Sequence, residues 1–199
     1  MSYAIIGFGK IGHALARAFA RKGIEVSVAT TRAPESFASD AAAIGPEVIP
    51  ATLADALKAD TIFLAVRYES HPEVAKALST WQGKTLVDVT NTYGVPPEEL
   101  DGLPSSKYLA RSFAGARLVK GFNHLGASVL DQDPAVKGGR RVVFLASDDD
   151  DAATDIAALA EELGFAPIKL GGLSEGGLLV HSRGKVWGPL IFKDLIKFS

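Results

Sequence analysis

The most constraining feature of the chain is Gly7-Phe8-Gly9-Lys10-Ile11-Gly12, a G-x-G-x-x-G spacing. Glycine is common, so the spacing alone is weak. Its context makes it specific. Residues 3–6 read as a strand, and residues 10–22 read as a helix whose Ile11, Leu15, Ala18 and Phe19 recur at helical spacing. Arg21 and Lys22 fall in the last turn and Gly23 just after it, a helix C-terminus. A glycine turn between a strand and a helix is the dinucleotide-binding arrangement. In it Gly7 permits the tight turn, Gly9 lets the backbone approach a pyrophosphate, and Gly12 lets helix and strand pack closely. The free N–H groups at the helix start then face the phosphates.

Strands and helices keep alternating beyond this unit. Residues 25–30 read as a second strand, 34–44 as helix, 47–50 as a short third strand and 53–58 as a short helix. Residues 61–66 read as a buried fourth strand, 72–79 as helix and 84–89 as a fifth strand. Residues 117–120, 141–146 and 166–170 bring the total to about eight. Before the last of these, Ser147 is the expected N-cap of a helix with Asp148, Asp149 and Asp150 in its first turn, where the helix dipole favours acids. Ile156, Leu159, Ala160 and Leu163 form its buried stripe and Gly164 ends it. The acidic run thus reads as a solvated helix start. Residues 92–106, with Pro96, Pro97 and Pro104, read as an irregular connection. The pattern predicts an α/β, Rossmann-type, doubly wound and mostly parallel sheet. It predicts one domain over residues 1–199 with a C-terminal extension over about 171–199. Trp187, Ile191 and Leu195 at spacing four suggest a helical face in that tail, whose apolar content predicts a homodimer.

Composition narrows the function classes. The absence of cysteine excludes thiolate metal sites, disulfides and cysteine nucleophiles. A net charge of −2, from 23 acids and 21 bases, is too balanced for a non-specific nucleic-acid binder or a polybasic membrane binder. No apolar run reaches the ~18 residues of a membrane span, and no basic leader precedes Tyr3. The expectation is a cytoplasmic protein acting on a small molecule.

Strand ends supply the candidate site. An NAD site usually has an acid at the end of the second strand, about 20 residues beyond the glycines. Here Ala29-Thr30-Thr31-Arg32 stands there without one. Thr31 and Arg32, with Ser36 just beyond, suit the 2′-phosphate of NADP. Val66 and Arg67, at the end of the fourth strand, should border the cofactor. His71 reads as a capping or solvent residue. Asn91 after the fifth strand and Asn123 after the sixth are candidates to hold a carboxamide or a substrate carbonyl, and His124, beside Asn123, is the candidate to donate a proton or a hydrogen bond. The alternative for these side chains is to satisfy backbone groups in turns.

The glycine turn, Thr31-Arg32, Lys120-Gly121-Phe122-Asn123, Arg140-Arg141-Val142-Val143-Phe144 and the acidic run 148–151 occur in an order that resembles a known family. It is the NADP oxidoreductases that use a deazaflavin, coenzyme F420. The pattern is also similar to the cytosolic NADPH domain of six-transmembrane ferric reductases, and Gly171-Gly172-Leu173-Ser174 fits both. The resemblance covers nearly the whole length. It implies phosphate-turn positions at Phe8, Gly9, Lys10 and Ile11, a 2′-phosphate pair at Thr31 and Arg32, and nicotinamide-side contacts near Val66, Asn91 and Gly121. Two departures stand out. The deazaflavin enzymes have a histidine near the position of Asn123, and they are more apolar around Asn91.

The leading expectation is an NADP(H)-dependent oxidoreductase that passes hydride to a planar acceptor, a deazaflavin or flavin. That chemistry needs proximity and stacking more than acid–base groups. A carbonyl or imine dehydrogenase is the second reading and would need His124 or Tyr93 as proton donor. A nucleotide-binding regulatory module without turnover is the third.

Overall fold

In a computed structural model, which describes residues 1–181 and 192–193, the glycine pattern sits where a strand–turn–helix needs it. β1 (Tyr3–Ile6) leads into α1 (Lys10–Ala20), and β2 (Val26–Ala29), α2 (Ala38–Ala42) and β3 (Val48–Pro50) follow. The chain then returns through α3 (Leu53–Ala56) to β4 (Thr61–Leu64), α4 (His71–Ala75), β5 (Thr85–Asp88), α5 (Ser105–Ala110) and β6 (Arg117–Gly121). The second half comprises α6 (Ala127–Leu130), β7 (Ala135–Val136), β8 (Gly139–Ser147), α7 (Asp150–Glu162), β9 (Ala166–Lys169), α8 (Gly176–Val180) and β10 (Phe192–Lys193).

The sheet order is β10-β8-β6-β5-β4-β1-β2-β3, with β7 and β9 also paired to β8. From β3 to β6 every neighbouring pair is parallel. β8 runs antiparallel to β6 and parallel to β9. The chain winds outward from β1 through β2 and β3, then crosses to β4 on the other side of β1. That reversal places a crevice at the carboxyl ends of β1 and β4, the position where such sheets bind ligands.

Strand residues alternate between two cores, as period-two geometry requires. Ile5, Val28, Phe63, Val87 and Val119 face α1 and α7, where Leu15, Phe19, Ile156 and Leu159 close the layer. Ala4, Ile6, Ile62, Leu64, Leu86 and Leu118 face the opposite layer, built on Leu57, Val74, Trp81, Leu109 and Phe113. The Phe19, Phe63, Phe122 and Phe165 rings run edge to face through the first core.

Several boundaries differ from the sequence expectation. Ser147 ends β8 instead of capping α7. Its backbone pairs with Val119, and its Oγ donates to the Leu118 carbonyl while accepting from the Asp149 N–H. The cap is Asp149, whose carboxylate accepts from the Ala152 N–H at 2.8 Å. The helix expected over 34–44 is a 3-10 turn, Pro34–Phe37, followed by the short α2. α5 begins inside the stretch read as irregular. In the tail, α8 is helical, but Phe192–Lys193 is a strand antiparallel to β8; Trp187, Ile191 and Leu195 lie outside the described residues.

Candidate functional site

The three glycines have three different reasons to be there. Gly7 has φ +104°, and a Cβ on it would lie 2.4 Å from the Ala65 carbonyl oxygen. A Cβ on Gly12 would lie 2.0 Å from the Gly7 carbonyl, so α1 and β1 approach as closely as their backbones permit. A Cβ on Gly9 would meet nothing within 4 Å. Among the described residues the space over Gly9 is open, and no side chain caps the helix start behind it. Its first N–H groups are therefore available to an anion. Phe8 gives the turn only its backbone: the ring is buried, stacked on His13 at 3.9 Å and packed on Phe37. His13 is held in turn by its Nδ1 against the Gly9 carbonyl at 2.9 Å.

Beyond β2, Thr31 and Arg32 are exposed at the carboxyl edge. The Arg32 N–H donates to Thr30 Oγ1, and its guanidinium stacks 5.7 Å over the Phe37 ring. Ser36 turns its hydroxyl to the Ala33 carbonyl. Arg32 thus presents an exposed cation at the end of β2.

Two recesses flank the glycine turn. One, of about 440 Å³, lies on the β2 side and includes Gly7, Gly9, Thr30, Thr31, Leu53, Val66, Arg67 and Val74. The other, of about 370 Å³, lies on the β5 side and includes Gly9, Lys10, Ile11, Ala65, Val66, Arg67, Tyr68, Val89, Thr90, Asn91 and Tyr93. Val66 and Arg67 border both. A dinucleotide needs two such lobes joined over a phosphate-binding turn, and the donors and open space present fit one. A further recess of about 440 Å³ lies between α1 and α6 and is lined by Lys10, His13, Arg17, Ser128 and Asp131.

The floor of the β5-side recess rests on a buried charge network. Lys120 Nζ lies 3.2 Å from Asp88 Oδ2, and both side chains are at most 1% exposed. Asp88 also accepts from the Thr90 N–H, the Thr90 hydroxyl and the Ser106 hydroxyl. Burial alone would raise its pKa, but Lys120 and these donors hold it below the usual carboxylate range. The Tyr68 hydroxyl donates to the Ser105 carbonyl, and burial with Asp88 nearby raises its pKa. Sequence reasoning missed this pair. Its signal was present: two apolar parallel strands each end in one charged residue, of opposite sign and in register.

Other sequence candidates stand elsewhere. Asn91 lines the recess, but its amide is turned to Asn123: Nδ2 donates to the Asn123 carbonyl and Oδ1 accepts from Asn123 Nδ2. Asn123 is buried and also donates to the Val180 carbonyl at 2.7 Å, so it ties α8 to the β6 end. Gly121 is a packing glycine; a Cβ there would lie 2.6 Å from Leu145 Cδ2. His124 does not reach either recess. Its ring is 3% exposed and lies 4.8 Å from the Phe144 ring; among the described residues neither nitrogen has a partner of full hydrogen-bond geometry. Burial pushes its pKa down to about 4, against a smaller opposing effect of the Val142 backbone. A neutral ring shut under β8 is not placed to protonate a substrate in the cleft, which corrects the donor assignment. His71 is buried too, with Nδ1 on the Tyr68 carbonyl at 2.6 Å, so it is a local capping group and not a solvent residue.

Residues 2–92 match the family described as NADP oxidoreductase, coenzyme F420-dependent. The chain is 33% identical over 178 residues to mouse metalloreductase STEAP2, covering 87% of this chain and 34% of that protein, so it spans about a third of that relative. Among solved structures, the hypothetical protein SMa0349 of Sinorhizobium meliloti aligns with a TM-score of 0.92 and 37% identity, over 98% of this chain and 96% of that one. A protein from Arthrobacter sp. FB24, assigned as an F420-dependent NADP reductase, aligns with a TM-score of 0.69 and 28% identity over 87% and 86% of the two chains. An imine reductase from Pseudomonas sp., at 18% identity and a TM-score of 0.62, shares the fold. On these matches residues 2–92 carry the domain described as NADP oxidoreductase, coenzyme F420-dependent, and the chain shares its whole fold with the Sinorhizobium meliloti protein.

Proposed function

We propose that the protein transfers hydride between NADP(H) and a planar ring acceptor of the flavin or deazaflavin class. The observation that carries this reading is the floor of the β5-side recess. Ile11, Ala65, Val66, Val89 and Thr90 form it, and the polar groups beside it are committed inward. Thr90 bonds to Asp88, Asn91 to Asn123 and Tyr68 to Ser105. The charged side chains Lys10, Arg67 and Glu69 stand exposed at the rim. Such a floor stacks a ring and excludes water, which is what transfer between two ring carbons needs. NADPH, when bound, supplies the hydride. The chain's part is to hold the pyrophosphate on the Gly9–Ile11 backbone, the 2′-phosphate on Thr31 and Arg32, and the nicotinamide beside Val66.

One observation favours a carbonyl or imine acceptor instead: the exposed Tyr93 phenol stands at the mouth of the same recess. Oxidation of NADPH should be followed with FMN, riboflavin, coenzyme F420, ferric citrate and a cyclic imine, in the wild type and in Tyr93→Phe. Turnover with a ring acceptor that Tyr93→Phe leaves within about threefold supports our reading. Turnover confined to the imine, and lowered about 10²-fold or more in Tyr93→Phe, assigns Tyr93 as a general acid and overturns it. Tight NADPH binding with no turnover on any of the five favours a regulatory module.

A further inference from the structure

We propose that the buried Asp88–Lys120 ion pair is a positioning device for the nicotinamide half of the cofactor, acting through the turn at residues 89–93. This rests on the NADP reading above. The two residues are register partners at the carboxyl ends of β5 and β6. Together they bind every polar atom of Thr90. Asp88 Oδ1 accepts from the Thr90 N–H at 2.9 Å and from its hydroxyl at 2.6 Å, and Lys120 Nζ donates to the Thr90 carbonyl. Asp88 Oδ2 reaches the Ser106 hydroxyl at 2.7 Å, which fastens the same network to α5. From α5 the Ser105 carbonyl holds Tyr68, another wall of the recess.

Fold stability gives little reason to keep such a pair. Removing two charges from water costs about as much as their attraction returns, and well-packed apolar residues of similar size usually serve as well or better. What apolar residues could not do is hold the Thr90 N–H, carbonyl and hydroxyl from beneath. The pair draws all three away from the cleft, so the turn crosses the recess with its polar groups turned inward. Val89 and Asn91 are fixed on either side of it. A site wall must be held to about half an ångström to orient a reacting ring, and the network does this without touching the ring. Asp88 and Lys120 are thus positioning residues.

The test compares two ligands by calorimetry at fixed salt. NADPH carries the nicotinamide; adenosine 2′,5′-bisphosphate carries the adenine-side groups and lacks it. The variants are the apolar pair Asp88→Leu with Lys120→Met, and the single change Thr90→Val. We expect the double variant to melt no more than a few degrees below the wild type and to bind the bisphosphate unchanged. Its NADPH affinity should fall at least about tenfold, about 1.4 kcal/mol. Thr90→Val should show the same selective loss, smaller in size, and decides the question alone if the double variant does not fold. Unchanged affinity for both ligands, or parallel losses for both, overturns the inference. A wild type that binds neither ligand overturns the cofactor reading and the inference with it.

Discussion

Arg32 carries the cofactor choice we propose. Its guanidinium stacks on Phe37 beyond the end of β2, and the strand end Ala29–Arg32 carries no acid. A charged hydrogen-bond partner contributes about 1.5–3 kcal/mol, and solvent exposure favours the lower end. Arg32→Ala should therefore weaken NADPH by roughly 10- to 150-fold and leave NADH nearly unchanged. Dissociation constants for both cofactors check it; parallel losses would make Arg32 a surface residue. His124 carries a different prediction. Its folded pKa, about 4, is depressed from the 6.5 of a free histidine. The unfolded chain takes up a proton that the folded chain refuses. The associated stability is complete above about pH 6.5 and is lost as pH falls toward 4. The gap corresponds to about 3 kcal/mol. Urea unfolding at pH 7.5, 6 and 5 should show the wild type losing more stability than His124→Leu; equal slopes would mean the ring is protonated in place. Arg32 was legible in the sequence because its place depends on a strand end close by in the chain. His124 was not: the Phe144 ring that covers it comes from a strand whose antiparallel pairing leaves no local mark.

At the scale of the strand–turn–helix, the glycines separate fold from binding. Gly12→Ala forces a methyl against the Gly7 carbonyl, where neither backbone can yield without moving α1 from β1. Overpacking of this kind costs about 1–3 kcal/mol, so this variant should melt lower and bind NADPH poorly. Gly9 has φ −89° and open space around it, so Gly9→Ala should fold normally. Its methyl would stand where the pyrophosphate approaches, and NADPH affinity should still fall. Melting curves and NADPH titrations on both variants test the contrast, and a destabilised Gly9→Ala would contradict it. The unit was readable in advance because its constraints are steric and local. The start of α7 misled for a related reason. Ser147 and Asp149 are both good capping residues two positions apart, and the strand pairing of Ser147 with Val119 decides between them.

Over the whole molecule, the parallel half from β1 to β6 carries the glycine turn and Arg32, while the second half, built on β8, closes against its edge. The alternation of strands and helices made the parallel half legible. The second half was less so, because β8 reverses direction and takes partners from β6, β7, β9 and β10, widely spaced along the chain. Besides the β6–β8 pairing, α8 also bridges the two halves. Val180 is fully buried against Val142, Phe144 and Ala166, its carbonyl receives Asn123, and His181 lies 3.0 Å from the Thr92 hydroxyl. Docking of α8 thus bears on the turn after β5, which walls the cleft, and on the turn after β6, and not on α1 or Arg32. Val180→Asp places an unpaired carboxylate in that apolar cluster, which α8 can avoid only by leaving the sheet. Hydrogen exchange should then quicken in α8 and at residues 90–93 and 123–126, with α1, β1 and β4 as protected as in the wild type. Adenosine 2′,5′-bisphosphate should bind the variant normally. Exchange that quickens equally in β1 and β4 would instead mean that the two halves unfold as one unit and that α8 holds the entire sheet together.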